Sequence, residues 1–225
     1  MKKGEVGFRI VRDIQRVPSE LVKKFAGFST AQISDVMSRF GAMDKEIKPC
    51  CSGLKMMGIA FTVRVNPGDN LMLHKAVLMA KRGDVIVVDG GGYCNRALAG
   101  EFMCTRAKLR DIAGLVIDGS VRDVAGIRRL SFSVYARGII PVGPYKEGPG
   151  EINVPICCGG IPVMPGDIVV GDDDGVVVVP SLDAPKIAQK AEIKLHQESK
   201  KRKSIEKGKV IYEWVDRVLK EKGVL

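Results

Sequence analysis

The stretch GLVIDGSVRDV, residues 114–124, breaks an apolar run at Asp118-Gly119 and sets Arg122 beside Asp123 almost at once. An aspartate is a hard oxygen donor, suited to Mg²⁺ or Mn²⁺ rather than to a soft metal. Magnesium keeps several of its waters, so one protein carboxylate can suffice. A guanidinium grips a planar carboxylate or an enolate oxygen at two points. The pair is therefore a candidate centre for metal-assisted chemistry on a small anion; a solvated ion pair on a surface loop is the plain alternative. Gly100-Glu101 is a second candidate. A glycine inside an otherwise helical run costs about 1 kcal/mol against alanine, so Gly100 marks either close helix packing or a break where a new helix begins at Glu101. A fresh helix start presents free N–H groups that suit a carboxylate ligand. Ligands of open sheets gather beyond the carboxyl ends of parallel strands. If the strands ending at Asp89 and Asp118 are neighbours, both aspartates share one rim with Arg122 and Asp123.

Other candidates are weaker. The glycines at 90–92 match neither common phosphate-binding pattern and read as a tight turn between strand and helix. Asp172, Asp173 and Asp174 before Gly175 lack the rest of a calcium loop and read as a hairpin turn. His74 lies among apolar residues and reads as a satisfied, partly buried histidine outside the site. Six cysteines without a C-x-x-C pattern, beside only two histidines, argue against a structural zinc site and for reduced thiols. The net charge is +10, but residues 25–185 balance at 17 basic against 17 acidic, so the excess sits in the terminal segments. Solvated helical faces explain it, and a nucleic-acid partner is disfavoured. No apolar stretch suits a membrane helix or a signal peptide, so a soluble, cytoplasmic protein is expected.

The elements that position these residues follow from periodicity. VPSELVKKFAGFSTAQISDVMSRFG predicts two short helices, the first capped by Ser19, the second by Ser29 or Thr30, with apolar positions through Phe40 and a stop at Gly41. MMGIAFTVRV alternates and predicts a strand, and NLMLHKAVLMAKRG a helix. DVIVVDGGG predicts a short strand closed by glycines, RALAGEFMCTRAKLRD a helix, AGLVID a strand, VRDVAGIRRLS a helix and SVYARG a strand. GGIPVMPGDIVVGDDDGVVVVP predicts paired strands, and the chain is then helical from Ser181, with Trp214 among Val210, Ile211, Val215 and Val218 at packing positions. The apolar runs 85–88 and 114–118, separated by a helix, imply a β-α-β unit buried on both faces. The expectation is a layered α/β domain with a mixed sheet and helical terminal segments.

Taken in order, STAQISDVMSRFG, GDNLMLHKA, GDVIVVDGGG, RALAGE, GLVIDGSVRDV, ARGIIPVGPYKEGPGEINVPI and GDIVVGDDDGVVVVP resemble the RraA-like superfamily over about residues 18–200. That group holds 4-hydroxy-4-methyl-2-oxoglutarate/4-carboxy-4-hydroxy-2-oxoadipate aldolases and regulators that inhibit ribonuclease E. The resemblance implies a layered β/β/α swivelling-type domain, one for the whole of 1–225 with a core of about 18–183 and a C-terminal helical extension 184–225. It implies assembly as a trimer or hexamer, with the active site between subunits. It implies a class II aldolase using a divalent cation, Mg²⁺ or Mn²⁺, on a 2-oxo acid, with oxaloacetate decarboxylation as a side activity. Arg122 and Asp123 match the catalytic pair, Asp123 being the metal ligand. Gly100, Glu101, Phe102 and Met103 match the loop whose amides hold the oxo-acid, and Glu101 sits at an acidic position that supports the metal's waters. Glu198 is the candidate for an acid reaching the metal from a neighbouring subunit. One departure stands out: the aldolases carry an acid three residues after the aspartate, where this chain has Gly126. A non-catalytic regulator of a ribonuclease or an RNA-associated partner is the alternative; the regulators tend to lack the aspartate that Asp123 supplies.

Overall fold

The computed structural model describes residues 2–210 and 212–225. Four parallel strands form its centre: β1 (Met56–Val65), β2 (Asp84–Ala99), β3 (Gly114–Val121) and β4 (Val134–Ile139), hydrogen-bonded in that order. Each crossover is a helix: α3 (Leu71–Met79), α4 (Glu101–Leu109) and α5 (Val124–Leu130), after α1 (Ser19–Lys24) and α2 (Thr30–Val36) near the start of the chain. Antiparallel strands complete the mixed sheet. β5 (Gly150–Ile152) pairs with the end of β1, and β6 (Ile156–Cys158) and β7 (Ile161–Val163) form a separate hairpin. The hairpin β8 (Ile168–Asp172) and β9 (Gly175–Val179) joins the start of β1 through β8. The helices α6 (Ala184–Glu206) and α7 (Glu213–Glu221) follow.

Both faces of the parallel centre are covered. Phe61, Val63, Ile86, Val88, Leu115 and Ile117 pack with α3, α4 and α5. Ala60, Val85, Val87 and Val116 pack on the opposite side with residues of β6, β7, β8 and β9. This explains why β1 is buried almost throughout rather than alternately: an open face is needed for alternation, and β1 has none. A third cluster joins α1, α2, the outer side of β8 and β9, and Ala184, Ile187, Ala188 and Ala191 of α6. The first turns of α6 thus belong to the core, and its later turns are largely exposed. Trp214 on α7 is 57% exposed, so it does not pack into this core; Ile211, grouped with it above, lies outside the described residues.

Several local expectations are corrected. Pro18, not Ser19, precedes α1, and no side chain caps it. Ser29 does cap α2, in a reciprocal pair with Gln32. That helix ends at Val36, because Ser38 and Arg39 take left-handed conformations, and Phe40 is left exposed. The largest correction concerns the glycines at 90–92. They do not turn from strand to helix; they lie within β2, which continues to Ala99. Between Asp89 and Ala99 the strand makes irregular excursions opposite the short stretch Asp118 to Val121. Gly91 and Gly92, at φ +65° and +70°, permit the first of these. Residues 96–99 were expected to be helical, but Ala97 and Ala99 pair with Ser120 and Val121, and that pairing overrides local helix preference.

Candidate active site

β3 is buried over all eight residues, and the chain emerges at Arg122. The Arg122 amide donates to the Ala99 carbonyl at 3.0 Å, fastening the end of β3 to the end of β2. Asp123 then adopts a left-handed conformation, φ 57° and ψ 36°, and precedes α5 without capping it through its side chain. Its carboxylate turns instead toward the start of α4. Asp123 Oδ2 lies 3.4 Å from the Glu101 amide and 3.6 Å from Arg122 Nε. Gly100 makes this approach possible: a Cβ there would stand 2.5 Å from Asp123 Oδ2 and 3.1 Å from Arg122 Cγ. Its backbone is extended, so glycine is needed for room and not for conformation. Of the two readings of Gly100, close helix packing or a break, the break is the one present, with α4 beginning at Glu101.

Arg122 and Asp123 line a cavity of about 330 Å³ together with Gly100, Phe102 and Met103. The Phe102 side chain is 76% exposed, whereas Met103 is buried. The Met103 amide already donates to the Gly100 carbonyl at 3.1 Å and the Glu101 amide to Asp123 Oδ2, which leaves the Phe102 amide to face an anion. The cavity also recruits residues that sequence reasoning passed over: Asn70, His74, Arg106 and Lys146. Asn70 is 4% exposed and donates through Nδ2 to the Leu98 carbonyl at 2.8 Å. The His74 amide bonds to the Asn70 carbonyl, so His74 follows Asn70 by one helical turn. Burial first, then the charges of Lys146 and Arg106, holds the His74 pKa below the usual histidine range. His74 therefore carries a neutral imidazole at neutral pH and belongs to the cavity, contrary to the expectation that left it out. The i, i+4 spacing of Asn70 and His74 was the available signal.

The acids divide into two groups. Asp123 has a 43% exposed side chain. Asp118, though paired in register with Asp89, is buried and held by Arg137 Nε at 2.6 Å and the Gly159 amide at 2.8 Å. Asp89 accepts from the Gly91 amide and lies 3.6 Å from Arg64 Nε. Neither lines the cavity, so the shared rim expected for Asp89, Asp118 and Asp123 reduces to Asp123. Glu198 accepts from Gln32 Nε2 at 2.6 Å and lies 3.6 Å from Lys194 Nζ; within its own chain it is outside the cavity. The Glu101 carboxylate also turns away from the cavity. It lies 3.4 Å from Arg129 Nη2 and occupies the space beside Gly126, where a Cβ would meet Glu101 Cδ and Oε2 at 2.2 Å.

Among the described residues no group of three or more His, Cys, Asp or Glu side chains is placed to hold a metal. A closed zinc-type cage is therefore not built from one chain. A single half-exposed carboxylate at the cavity, Asp123, would suit a hydrated hard cation. All six cysteines are free, and burial pushes the Cys50 and Cys104 thiols up to about 11 and about 12.

The family profile described as RraA-like, Aldolase/RraA, matches residues 30–178. The chain belongs to the RraA-like family. A relative from Halalkalibacterium halodurans, provisionally named a 4-hydroxy-4-methyl-2-oxoglutarate aldolase, is 40% identical over 186 residues, covering 83% of this chain and 89% of its own. An uncharacterised Pseudomonas syringae protein of known structure superposes with a TM-score of 0.80 at 26% identity, covering 88% of this chain and 93% of its own. Streptomyces coelicolor RraAS2, described as an unusual member of the RNase ES inhibitor RraA protein family, superposes with a TM-score of 0.77 at 28% identity, covering 84% and 99%. A provisionally named aldolase and a member of a ribonuclease-inhibitor family thus both stand among the relatives of this RraA-like chain. Its mixed α/β architecture is that of the solved structures. Among the described residues no helix is long and apolar enough to cross a membrane.

Proposed function

We propose that this RraA-like chain is a divalent-metal-dependent lyase of the class II aldolase type. Its substrate is a 2-oxo dicarboxylic acid of the 4-hydroxy-4-methyl-2-oxoglutarate kind, cleaved through the enolate of pyruvate, with oxaloacetate decarboxylation as a side activity. The observation that carries this reading is the half-exposed Asp123 carboxylate beside Arg122, in a cavity that also gathers Arg106 and Lys146. Asp123 would hold Mg²⁺ or Mn²⁺, which when bound would supply Lewis-acid polarisation of the substrate's oxo group. The Phe102 amide receives the adjacent carboxylate, and Arg106 and Lys146 attract the distal one. As the C3–C4 bond breaks, its electron pair moves into the C2 carbonyl. The Arg122 guanidinium stands beside the oxygen that gains this charge, where one such donor contributes about 3 kcal/mol. The proton of the 4-hydroxyl passes to water in the cavity or to the neutral His74, and that hydroxyl oxygen becomes the new carbonyl. Protonation of the enolate at C3 then gives pyruvate.

The reading includes a homotrimer or homohexamer in which Glu198 of one subunit approaches the metal of the next. The large apolar side chains of Phe102, Leu109 and Ile139, exposed in the single chain, support burial against another copy. The decisive assay supplies Mg²⁺ or Mn²⁺ with oxaloacetate, then with 4-hydroxy-4-methyl-2-oxoglutarate, and follows pyruvate. Absence of pyruvate from both substrates overturns the enzyme reading. A non-catalytic regulator is the second reading, favoured by the exposed basic run Lys200 to Lys203 on α6 and by the inhibitor relative. It predicts salt-sensitive association with a ribonuclease and no dependence on metal.

A further inference from the structure

Lys146 lies in a largely exposed loop, residues 143–148, that belongs to no helix or strand yet is fastened on both sides. One fastening is buried. Asp69, 1% exposed, accepts through Oδ2 from the Glu147 and Gly148 amides at 2.6 and 2.9 Å, and through Oδ1 from the Leu71 amide at 2.8 Å. A buried carboxylate is costly to leave without donors, and these three amides join the loop to the first residue of α3. The main chains pair there as well: the Asn70 amide donates to the Tyr145 carbonyl at 3.0 Å, and the Tyr145 amide to the Gly68 carbonyl at 2.8 Å. The other fastening comes from β2. Arg96 donates through Nη1 to the Gly143 carbonyl at 2.9 Å and through Nη2 to the Tyr145 hydroxyl at 2.8 Å, with its guanidinium 3.9 Å from the centroid of the Tyr145 ring. Neither Asp69 nor Arg96 lines the cavity, whereas His74 on α3 and Lys146 on the loop both do.

We propose that Asp69 and Arg96 are positioning residues for Lys146: they fix the loop on either side of it, so that its ammonium is presented where the second carboxylate of a substrate arrives. This rests on the reading above, in which Lys146 attracts the distal carboxylate, and adds to it the residues that keep that contact in place. A lysine on an unfastened loop would have to be ordered, backbone and side chain together, each time a substrate bound. Here Tyr145 before it is held by Gly68, Asn70 and Arg96, and Glu147 after it is held by Asp69, so only the lysine side chain is left to settle. Because the same carboxylate ties Leu71, the loop also keeps its distance from the helix that carries His74. An asparagine at 69 would preserve the volume but turn an NH₂ group toward amides that need an acceptor.

The test is a double-mutant cycle on the purified full-length chain, following pyruvate from 4-hydroxy-4-methyl-2-oxoglutarate with Mg²⁺, beside amide hydrogen exchange of the same proteins by nuclear magnetic resonance. Asp69→Asn is expected to raise KM about fivefold while kcat changes less than about twofold. In the Lys146→Ala background the same substitution is expected to change KM by less than about twofold, because the group it positions is gone. The proposal is overturned if Asp69→Asn keeps the parent's KM, if it lowers kcat instead, or if its effect on KM is the same with and without Lys146. Arg96→Gln, which loosens the loop from its exposed side, is expected to raise KM about threefold with the same dependence on Lys146. Should Asp69→Asn not fold, Arg96→Gln decides alone, and a KM equal to the parent's then overturns the proposal. A parent chain that yields no pyruvate defeats the functional reading, and the seating of the loop is then decided by exchange. The Glu147 and Gly148 amides should exchange at least about tenfold faster in Asp69→Asn, with the amides of β3 unchanged. Equal exchange in parent and variant would dispose of the seating as well.

Discussion

Two aspartates of one strand and its exit, Asp118 and Asp123, are five residues apart and meet opposite fates. Asp118 is buried and has two short bonds, to Arg137 at 2.6 Å and to the Gly159 amide at 2.8 Å. Asp123 is half exposed, and its nearest donors stand at 3.4 and 3.6 Å. A carboxylate whose lone pairs are fully engaged by the fold holds structure; one held loosely by neighbours that also face a cavity has capacity left for a ligand. The same contrast separates Arg137, locked between Asp118 and Asp44, from Arg122, whose acidic neighbour Asp123 is at salt-bridge rather than hydrogen-bond distance.

The sharpest way to break this comparison is to remove each acid. Asp123→Ala should abolish metal-dependent pyruvate formation while costing only about 1 kcal/mol of stability, the strain of alanine in the left-handed conformation of residue 123, measured by pyruvate assay and urea unfolding on one preparation. Full activity in that variant sinks the site. Asp118→Ala should behave in reverse, losing about 1–3 kcal/mol of stability because the buried Gly159 amide loses its acceptor and Arg137 keeps only Asp44. If it unfolds at the parent's urea midpoint, the structural role given to Asp118 is wrong. Arg122→Ala comes next, with kcat lowered about 10²-fold in the pyruvate assay, the cost of one donor to a developing oxyanion. Lys146→Ala should raise KM for a dicarboxylic substrate about tenfold with a smaller change in kcat, since a charge-assisted contact to the distal carboxylate is lost. A change in kcat alone would place Lys146 elsewhere in the reaction.

The smallest effect concerns pH. The His74 pKa lies below its ordinary 6.5 in the fold. The unfolded chain therefore binds more protons in the window just below 6.5, and the contribution of His74 to stability is complete above that pH and declines as pH falls through it. Replacing His74 by Gln should flatten this part of the stability profile in urea melts between pH 5 and pH 7. An unchanged slope would mean that His74 is not the group responsible.

Much of this arrangement was legible in the residues. A cap at Ser29 or Thr30, one of two readings of Gly100 and the exit of β3 at Arg122-Asp123 are local features, decided within a few residues of chain. Their signals are spacing and residue type. The excursion of β2 was not legible, because Ala97 and Ala99 prefer a helix locally and become strand only when Ser120 and Val121 lie alongside. His74, Arg106 and Lys146 were missed for a related reason. They come from α3, α4 and the segment before β5, and no periodicity links them.

The order of strands and helices, the apolar runs that must be buried, and the placing of an arginine and an acid at a strand's mouth were thus determined by the sequence alone, since hydrophobic period and backbone propensity act over one or two turns. Tertiary structure alone decided which acid stays available. Asp118 is satisfied by Arg137 and Gly159, 19 and 41 positions away, and Glu101 finds its seat beside Gly126, in the next crossover helix. Such pairings depend on which strands become neighbours and on side-chain volume in three dimensions, and neither is encoded in local spacing.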